Sequence, residues 1–344
     1  SQLMSLHNFT IQSSLQRTQN VQAQFSILIP SWNNLAFLQK CIESIRKNST
    51  LQHQIIVHVN QGKDGSYEWV KAQTDLEYTY STENIGVCFA LNAARTLIRT
   101  PYLLYLNDDM YLCPGWDTAL MEEIKSIGHE LFFLSATMIE PIASSNAVIE
   151  KNYGQDIANF QEEKLLQEYS QLEKKDWSGA TWPPNILPVA LWDTIGGYSV
   201  EFSPGMYSDP DFSMKLWMAG VRYFKGVSQS RAYHFGSKSV GRVKRNKGYN
   251  QFIQKWGERP NVDMWRRKSS TNVANALAKT NAPSTLIPTN ENFENKSSKN
   301  QEKTLDTLGL IQDELEFKRS QQKWNEAALI VAQTFLLKLN DFEK

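Results

Sequence analysis

The sequence predicts an α/β fold in which helices flank a mostly parallel, Rossmann-like sheet. Short apolar runs, typical of buried strands, alternate with stretches in which apolar residues recur every three or four positions. Short turns join the two kinds of segment, as expected when helices connect successive parallel strands. The first half of the chain shows both features most clearly.

The predicted elements of this half follow a regular order. Strand 25–30 is an apolar run that ends at Pro30, and Leu38, Ile42 and Ile45 then recur at helical spacing. The later elements are strands at 54–60, 77–80 and 102–106 and helices at 67–73 and 87–98. Such strands place their carboxyl ends along one rim of the sheet, where ligands of open α/β sheets bind.

The second half is less regular. A strand is predicted at 131–136 and a charged helical stretch at 159–175. A helix is predicted at 208–220, because acids open it and a glycine closes it. Ser, Thr, Asn and Lys dominate 268–303, which is typical of a flexible linker. Apolar residues return at helical spacing over 304–344, a C-terminal helical extension that would pack against the chain or form a homo-oligomer.

Composition and charge exclude several function classes. The 344 residues include 36 Lys and Arg and 36 Asp and Glu, and the zero net charge argues against a nucleic-acid binder. No apolar run reaches the length of a membrane-spanning helix, and the polar extension at 1–24 lacks the apolar core of a secretory signal. The three cysteines cannot all pair and lack zinc-site spacing, so we expect a reducing, cytoplasmic location.

An acidic cluster, Asn107-Asp108-Asp109, directly follows the apolar strand 102–106. Carboxylates at a strand end pack poorly, but they suit Mg²⁺ or Mn²⁺, which takes one or two carboxylates together with phosphate oxygens. The alternative is a solvated turn in which an acid caps the next helix. Polar residues also follow the strands at 25–30 and 54–60, so three strand ends indicate a site on one rim.

A set of short motifs in a fixed order resembles those of family-2 glycosyltransferases of the GT-A fold. The motifs are Ser26-Ile-Leu-Ile-Pro-Ser-Trp-Asn33, Asn84-Ile-Gly86 with Asn92, Leu106-Asn-Asp-Asp-Met110 with Pro114-Gly-Trp116, Gly196-Gly-Tyr198, Ser208-Asp-Pro-Asp211 and Tyr233-His-Phe235. The resemblance covers roughly 25–257. It implies a GT-A domain at 25–267, with a nucleotide-sugar half at 25–116 and an acceptor half at 117–267.

The resemblance implies inverting, metal-dependent transfer of a sugar from a nucleoside-diphosphate donor, first of all a UDP-sugar. The acceptor would be a saccharide or a lipid-linked saccharide, as in polysaccharide biosynthesis. Asp109 would be the direct ligand of Mn²⁺ or Mg²⁺ and His234 would complete the metal shell, where an imidazole suits Mn²⁺ better. Asn107 replaces the first acid of the motif, and Asp108 would face the ribose or the sugar.

The resemblance also implies a nucleotide-binding set. Its members are Pro30, Ser31, Trp32, Asn60, Asp64, Asn84, Gly86, Asn107 and Asp108. Asn60 stands where the family commonly has an acid that binds uracil, and its amide can donate as well as accept, so the base stays open. Asp64 either contacts the nucleotide or forms a local turn.

The acid pair Asp209 and Asp211 opens the helix at 208–220. Inverting transfer needs one group that takes a proton from the acceptor hydroxyl. The resemblance assigns this role to Asp209, whereas Asp211 would be a structural or acceptor-binding acid. The ordinary alternative is that both acids simply favour the helix N-terminus.

A basic segment at 231–268 contains eleven Lys and Arg and two acids. Arg242, Lys244 and Arg245 could close over the diphosphate, the segment could make peripheral contact with an anionic membrane, or it could be a solvated surface. Trp182, beside two prolines, is the aromatic residue that we expect to stack on a sugar.

A binding scaffold and a nucleotidyltransferase are the two alternatives to sugar transfer. Ser208 and Asn107 depart from the family pattern, which is compatible with a scaffold that binds a nucleotide or sugar without turnover. A nucleotidyltransferase would place a Gly-rich, basic phosphate loop after the first strand, and the sequence has none there.

Overall fold

A computed structural model describes residues 10–14, 22–178, 182–236 and 247–257. The strands are β1 (Ile11–Ser13), β2 (Phe25–Trp32), β3 (His53–Asn60), β4 (Leu76–Ser81), β5 (Tyr102–Tyr105), β6 (Met110–Leu112), β7 (Phe132–Glu140), β8 (Ile149–Glu150), β9 (Trp177–Ser178), β10 (Asn185–Pro188) and β11 (Tyr223–His234). The α-helices are α1 (Leu35–Asn48), α2 (Ser66–Ala72), α3 (Gly86–Arg95), α4 (Trp116–Ile127), α5 (Glu162–Glu168), α6 (Val189–Thr194), α7 (Ser208–Met218) and α8 (Gly248–Trp256).

The described strands form one sheet in the order β1-β4-β3-β2-β5-β10-β7-β11-β6, with β8 beside β7 and β9 beside β11. The strands β4, β3, β2 and β5 are parallel neighbours. The strand β10 is antiparallel to both β5 and β7, and β11 is parallel to β7, so β7 and β11 run in the same direction as the first block. The prediction of a mostly parallel sheet flanked by helices is confirmed.

Alternation along β2 supplies both faces of the sheet with apolar side chains. Ile27 and Ile29 face a core that includes α1 and α4, whereas Leu28 faces a second core with α3, α6 and α7. Burying a large apolar side chain contributes about 1.5–3 kcal/mol, so two filled layers hold the strand ends in place. The position of the rim is therefore fixed by the core rather than by the loops.

The structure refines several predicted elements. The charged stretch at 159–175 contains only the short α5 followed by a single 3₁₀ turn, Tyr169–Gln171. Within the predicted N-terminal extension, β1 pairs with the outer edge of β4. The predicted linker and the C-terminal helical segment lie outside the described residues. Among the residues described, no helix combines the length and apolarity needed to cross a bilayer.

Candidate active site

The carboxyl ends of β2, β3, β4, β5, β7 and β11 lie along one rim of the sheet. Tyr105, the last residue of β5, is buried at the middle of this rim. Burial raises the pKa of Tyr105, and the nearby charges of Asp209, Asp109 and Asp108 raise it further. The acidic cluster and Asp209, which are about a hundred residues apart in sequence, therefore both lie near enough to this phenol to affect its pKa.

Strand register brings Asp109, His234 and Glu140 into a row. In the antiparallel pair of β11 and β6, His234 lies opposite Met110, the neighbour of Asp109. In the parallel pair of β11 and β7, Tyr233 lies beside Ile139, so the next residues along the two strands, His234 and Glu140, are neighbours. His234 Nε2 lies 3.3 Å from Asp109 Oδ2, and His234 Nδ1 lies 2.7 Å from Glu140 Oε1.

These contacts set the charge of the imidazole. Burial alone lowers the pKa of His234, but hydrogen bonds and charges from Asp109 and Glu140 outweigh burial and raise it to about 10. Burial raises the pKa of Glu140, yet hydrogen bonds from His234 and from Ser144 lower it below its usual value. The row therefore favours positive charge between two carboxylates.

The Mn²⁺ or Mg²⁺ that the resemblance implies would be held at this row of side chains. The residues that the structure describes contain no group of three or more His, Cys, Asp and Glu able to hold a metal ion. Mg²⁺ and Mn²⁺ sites that also use substrate phosphates need only one or two protein ligands, and Asp109 and His234 supply an oxygen and a nitrogen. A metal-bound histidine commonly gives its other N–H to a carboxylate, as the Glu140 contact would allow. The donor set fits such a cation once Nε2 of His234 has lost its proton, because only a neutral imidazole binds a metal.

Asp108 links the acidic cluster to the end of β2. Its Oδ2 accepts a hydrogen bond from Ser31 Oγ at 2.8 Å, and its Oδ1 accepts one from Asn34 Nδ2 at 3.1 Å. Asn107, which is partly exposed, accepts a contact from Cys41 Sγ through its backbone carbonyl. The structure thus brings Ser31 and Asp108 into contact, and nucleotide binding by these residues and by Asn107 stays a prediction.

The ends of β2 and β3 are joined by side chains. The Trp32 indole N–H donates to Gln61 Oε1 at 2.7 Å, and Pro30 pairs with His58 within the sheet. Asp64 accepts hydrogen bonds from the backbone N–H groups of Leu35 and Ser66. The carboxylate of Asp64 therefore holds a turn and the start of α1, which favours the structural alternative over nucleotide contact.

Asn60 organises the loop that leads into α3. Its amide oxygen accepts hydrogen bonds from the Ile85 backbone N–H at 2.9 Å and from Ser81 Oγ at 3.3 Å. Asn84 Oδ1 accepts from the Gly86 N–H two residues later. The amide oxygen that would replace the family's uracil-binding acid is thus already engaged by the protein.

Gly86 is required by a close approach of two loops. Its φ of +77° lies in the left-handed region, and a Cβ there would lie 2.7 Å from Pro204 Cα and from Ser203 Oγ. The Val87 N–H donates to the Pro204 carbonyl at 2.9 Å. The nucleotide-side loop is thereby fastened to the loop that precedes Asp209.

Replacing Gly86 with alanine is expected to destabilise the protein more than replacing Gly128. Both glycines have φ near +70°, so alanine costs about 1–2 kcal/mol at either position. At Gly86 the added Cβ would also collide with a neighbouring backbone, and this overpacking lowers the free energy of unfolding by about 1–3 kcal/mol more. At Gly128 nothing lies within 4 Å of the added Cβ. Urea unfolding of both variants measures this difference, and equal losses would contradict it.

Asp209 is held by a fixed tyrosine. Tyr198 donates its hydroxyl to Asp209 Oδ1 at 2.8 Å. Asn92 on α3 exchanges two hydrogen bonds with the Tyr198 backbone, and Phe212 stacks on the Tyr198 ring with centroids 4.5 Å apart. Burial raises the pKa of Asp209 to about 6, although the Tyr198 hydrogen bond lowers it. A partly exposed carboxylate with this pKa can exchange a proton near neutral pH.

Asp211 has a different environment from Asp209. It is fully buried, accepts a hydrogen bond from Trp256 Nε1 at 2.9 Å, and forms an ion pair with Lys255 Nζ at 2.9 Å. Lys255 also pairs with Glu201 at 2.7 Å. Asp211 therefore fastens α8 to α7, which is the structural role among those predicted for it.

Trp182 lies on the same rim and is 40% exposed. Its carbonyl accepts a hydrogen bond from Ser135 Oγ at 3.0 Å, and β10 begins three residues later with Asn185 opposite Tyr105. Trp177, Trp192 and Trp217 are buried instead. Trp182 is thus an exposed indole close to the end of β5, and its stacking on a sugar stays a prediction.

Two basic residues in the described part of the basic segment, Arg231 and Lys255, make structural contacts. Arg231 is buried and donates to the carbonyls of Ser228 and Tyr169, and Lys255 is held in the ion pairs of α8. These two side chains do not supply a surface for membrane contact. Residues 237–246, which include the three proposed diphosphate contacts, and residues beyond 257 lie outside the described ranges.

Glu140 and Tyr198 were not among the predicted site residues. Glu140 ends the apolar strand β7, which is the same pattern that identified the acidic cluster, so this signal was present in the sequence. Tyr198 belongs to the Gly-Gly-Tyr motif but was given no role. Its contact with Asp209 depends on packing that a linear sequence does not display.

Comparison with known proteins agrees with the resemblance. Residues 26–171 match the model of the family described as "Glycosyl transferase family 2". The crystal structure of S. aureus TarS 1-349 is 14% identical, with 62% of this chain and 58% of that chain covered and a TM-score of 0.42. No curated protein matches.

Two further solved structures carry ligands. TarS 1-349 in complex with UDP-GlcNAc is 14% identical, covering 75% of this chain and 74% of that chain with a TM-score of 0.49. GalNAc-T7 with UDP, GalNAc and Mn²⁺ is 14% identical, covering 73% of this chain and 48% of that chain with a TM-score of 0.47. This chain thus spans just over half of the first TarS structure and about half of GalNAc-T7.

Proposed function

We propose that this chain, which carries the glycosyl transferase family 2 pattern in residues 26–171, is a nucleotide-sugar glycosyltransferase. The observation that carries the proposal is the convergence of two acidic groups on one rim. Asp109 and Asp209 come from distant parts of the sequence, yet the charges of both raise the pKa of Tyr105, and His234 lies beside Asp109. Donor binding and proton transfer would use these two groups separately.

The donor would be a nucleoside-diphosphate sugar, and a UDP-sugar is the first one to expect. Asp109 and His234 would hold Mn²⁺ or Mg²⁺, which supplies Lewis-acid stabilisation to the departing diphosphate when bound. Ser31, Trp32 and Asp108 line the adjacent strand ends, where the family binds the nucleoside. The uracil preference stays a proposal, because Asn60 uses its amide oxygen within the protein.

Asp209 would act as the general base of an inverting reaction. In that reaction an acceptor oxygen bonds to the anomeric carbon, the bond from that carbon to the diphosphate breaks, and the acceptor proton passes to Asp209. A carboxyl with a pKa of about 6 is ionised at neutral pH and remains basic enough for this transfer. Trp182 would stack on a saccharide acceptor, free or lipid-linked, as in polysaccharide biosynthesis.

A thermal-shift panel tests donor binding. UDP, GDP, CMP and dTDP are added singly, each with and without Mn²⁺. The proposal predicts stabilisation by UDP that depends on Mn²⁺, since a ligand that binds only the folded state stabilises it more as the ratio of ligand concentration to Kd rises. Stabilisation by a different nucleotide would change the donor class, and no shift with any of them would count against a donor site.

Replacing Tyr198 with phenylalanine is expected to move the acid limb of the pH profile upward. Wild-type activity should decrease as the pH drops below about 6, because Asp209 becomes protonated in that range. Loss of a hydrogen bond worth roughly 1–1.5 kcal/mol would shift this limb by up to about one pH unit. Tyr102→Phe, which removes a hydroxyl contact with exposed Glu130, is the control, and an unmoved limb would contradict the role of Tyr198.

A binding scaffold without turnover is the second candidate. Ser208 replaces a family acid, and its hydroxyl donates to the Gly205 carbonyl at 2.6 Å. This candidate predicts donor binding without product formation. Oligomer formation through 305–344 and membrane contact through the remaining part of 231–268 stay predictions.

A further inference from the structure

We propose that Glu140 is a positioning residue that orients His234 toward the metal of a nucleotide-diphosphate complex. The inference rests on the proposed function, since it assigns a partner to one of the residues that would hold the cation. It adds Glu140, the last residue of β7, to a pair in which Asp109 directly precedes β6 and His234 ends β11.

The first support is the directness of the contact. Glu140 is 5% exposed, and its Oε1 lies 2.7 Å from His234 Nδ1. The opposite ring nitrogen, Nε2, faces Asp109 Oδ2 at 3.3 Å. Because Nδ1 is held by Glu140, Nε2 is the ring nitrogen that lies beside Asp109, and a cation held by Asp109 would meet Nε2 in place of its proton.

The second support is the fixed geometry of Glu140 itself. Its Oε2 accepts a hydrogen bond from the Ser144 backbone N–H at 2.9 Å, and its carbonyl accepts one from the Lys151 N–H at 2.9 Å. Both carboxylate oxygens are therefore committed within the protein. The side chain cannot turn toward a ligand without breaking the Ser144 contact, which favours orientation of His234 over direct metal binding.

The third support is the sheet register. His234 follows Tyr233, which pairs with Ile139, so the two side chains meet wherever β7 and β11 keep their parallel pairing. Those strands form the most extensive parallel pair of the second half of the sheet. Strand pairing therefore sets the direction of the imidazole, and no loop has to become ordered at this position when a metal binds.

The test measures Mn²⁺ affinity in the presence of UDP by the electron paramagnetic resonance signal of free Mn²⁺. Glu140→Gln keeps the shape but removes the charge, and Glu140→Asp keeps the charge but shortens the side chain. Both are expected to weaken Mn²⁺ binding about 10- to 100-fold. Glu150→Gln is the matched control on the adjacent β8, because its carboxylate contacts Ala143 instead of His234 and binding should stay within about twofold.

Unchanged affinity in both Glu140 variants would overturn the inference, as would a loss confined to Glu140→Gln, which would assign the effect to charge alone. Wild-type protein that binds UDP equally with and without Mn²⁺ would overturn the inference but leave the donor site standing. Wild-type protein that binds neither would reject the donor site as well.

A measurement on the wild type tests the same inference without depending on whether any variant folds. Nitrogen-15 spectra of the histidine rings, with Mg²⁺ and UDP added, should show the His234 Nδ1 proton retained and the Nε2 resonance shifted. The reverse pattern, with Nδ1 changed and Nε2 still protonated, would overturn the inference.

Discussion

An Asp209→Asn variant is expected to bind the donor nucleotide and to lose transfer activity by roughly 10²- to 10⁴-fold, the usual contribution of a positioned general base. The amide cannot take the acceptor proton, but it keeps the size of the side chain and can still accept a hydrogen bond from the Tyr198 hydroxyl. Steady-state kinetics with a donor identified by the nucleotide panel measure the loss. Full activity in this variant would contradict the assigned base.

Asp211→Asn is the matched comparison on the same helix. Asp211 is buried against Lys255 and Trp256, so its substitution should lower the free energy of unfolding by about 1–3 kcal/mol. Lys255 retains Glu201 as a partner, which limits the cost. A loss of turnover at unchanged stability would instead place Asp211 in the chemistry.

An Asp109→Ala variant is expected to lose Mn²⁺-dependent nucleotide binding. Removing a direct metal ligand should weaken Mn²⁺ binding by more than the loss of about 10- to 100-fold expected for Glu140, which would act on the metal only through His234. It also removes one of the two carboxylates that raise the pKa of His234, so the imidazole should titrate at lower pH. Calorimetry of UDP binding with and without Mn²⁺ measures the first effect, and histidine NMR measures the second.

Asp193→Asn provides the control for this variant, because Asp193 is an exposed acid paired with Arg95. Its nucleotide affinity should match that of the wild type. If Asp109→Ala retains metal-dependent binding, the cation must be held by other residues and the donor site would need to be placed elsewhere on the rim.

The strands β2, β3 and β5 could be predicted because each is a short, largely apolar run with a clear end, whereas β6, only three residues long, was not predicted. The confirmed β2, β3 and β5 boundaries differ from the predicted ones by at most two residues. The rim followed from strand direction alone, since parallel strands place their carboxyl ends together. The neighbourhood of Asp109 and His234 came from the family resemblance, and the β6–β11 pairing supplies its physical basis.

Contacts between distant side chains were not predictable in the same way. Whether Asp64 faces a nucleotide or a backbone N–H depends on where α1 begins relative to the loop after β3. The separate environments of Asp209 and Asp211 depend on the docking of α8, which lies about forty residues further along the chain. Both outcomes arise from tertiary packing, which residue types and spacing do not encode locally.

Release of the nucleoside diphosphate from UDP-, GDP- and dTDP-sugars separates the transferase from the binding scaffold most directly. The wild type and Asp209→Asn are compared with saccharide and lipid-linked acceptors at pH 7.5, well above the pKa of about 6 for Asp209. The transferase predicts that both proteins bind the same donor and that only the wild type releases the diphosphate at a substantial rate. Binding by both proteins without release for any donor and acceptor would contradict catalysis and leave the scaffold.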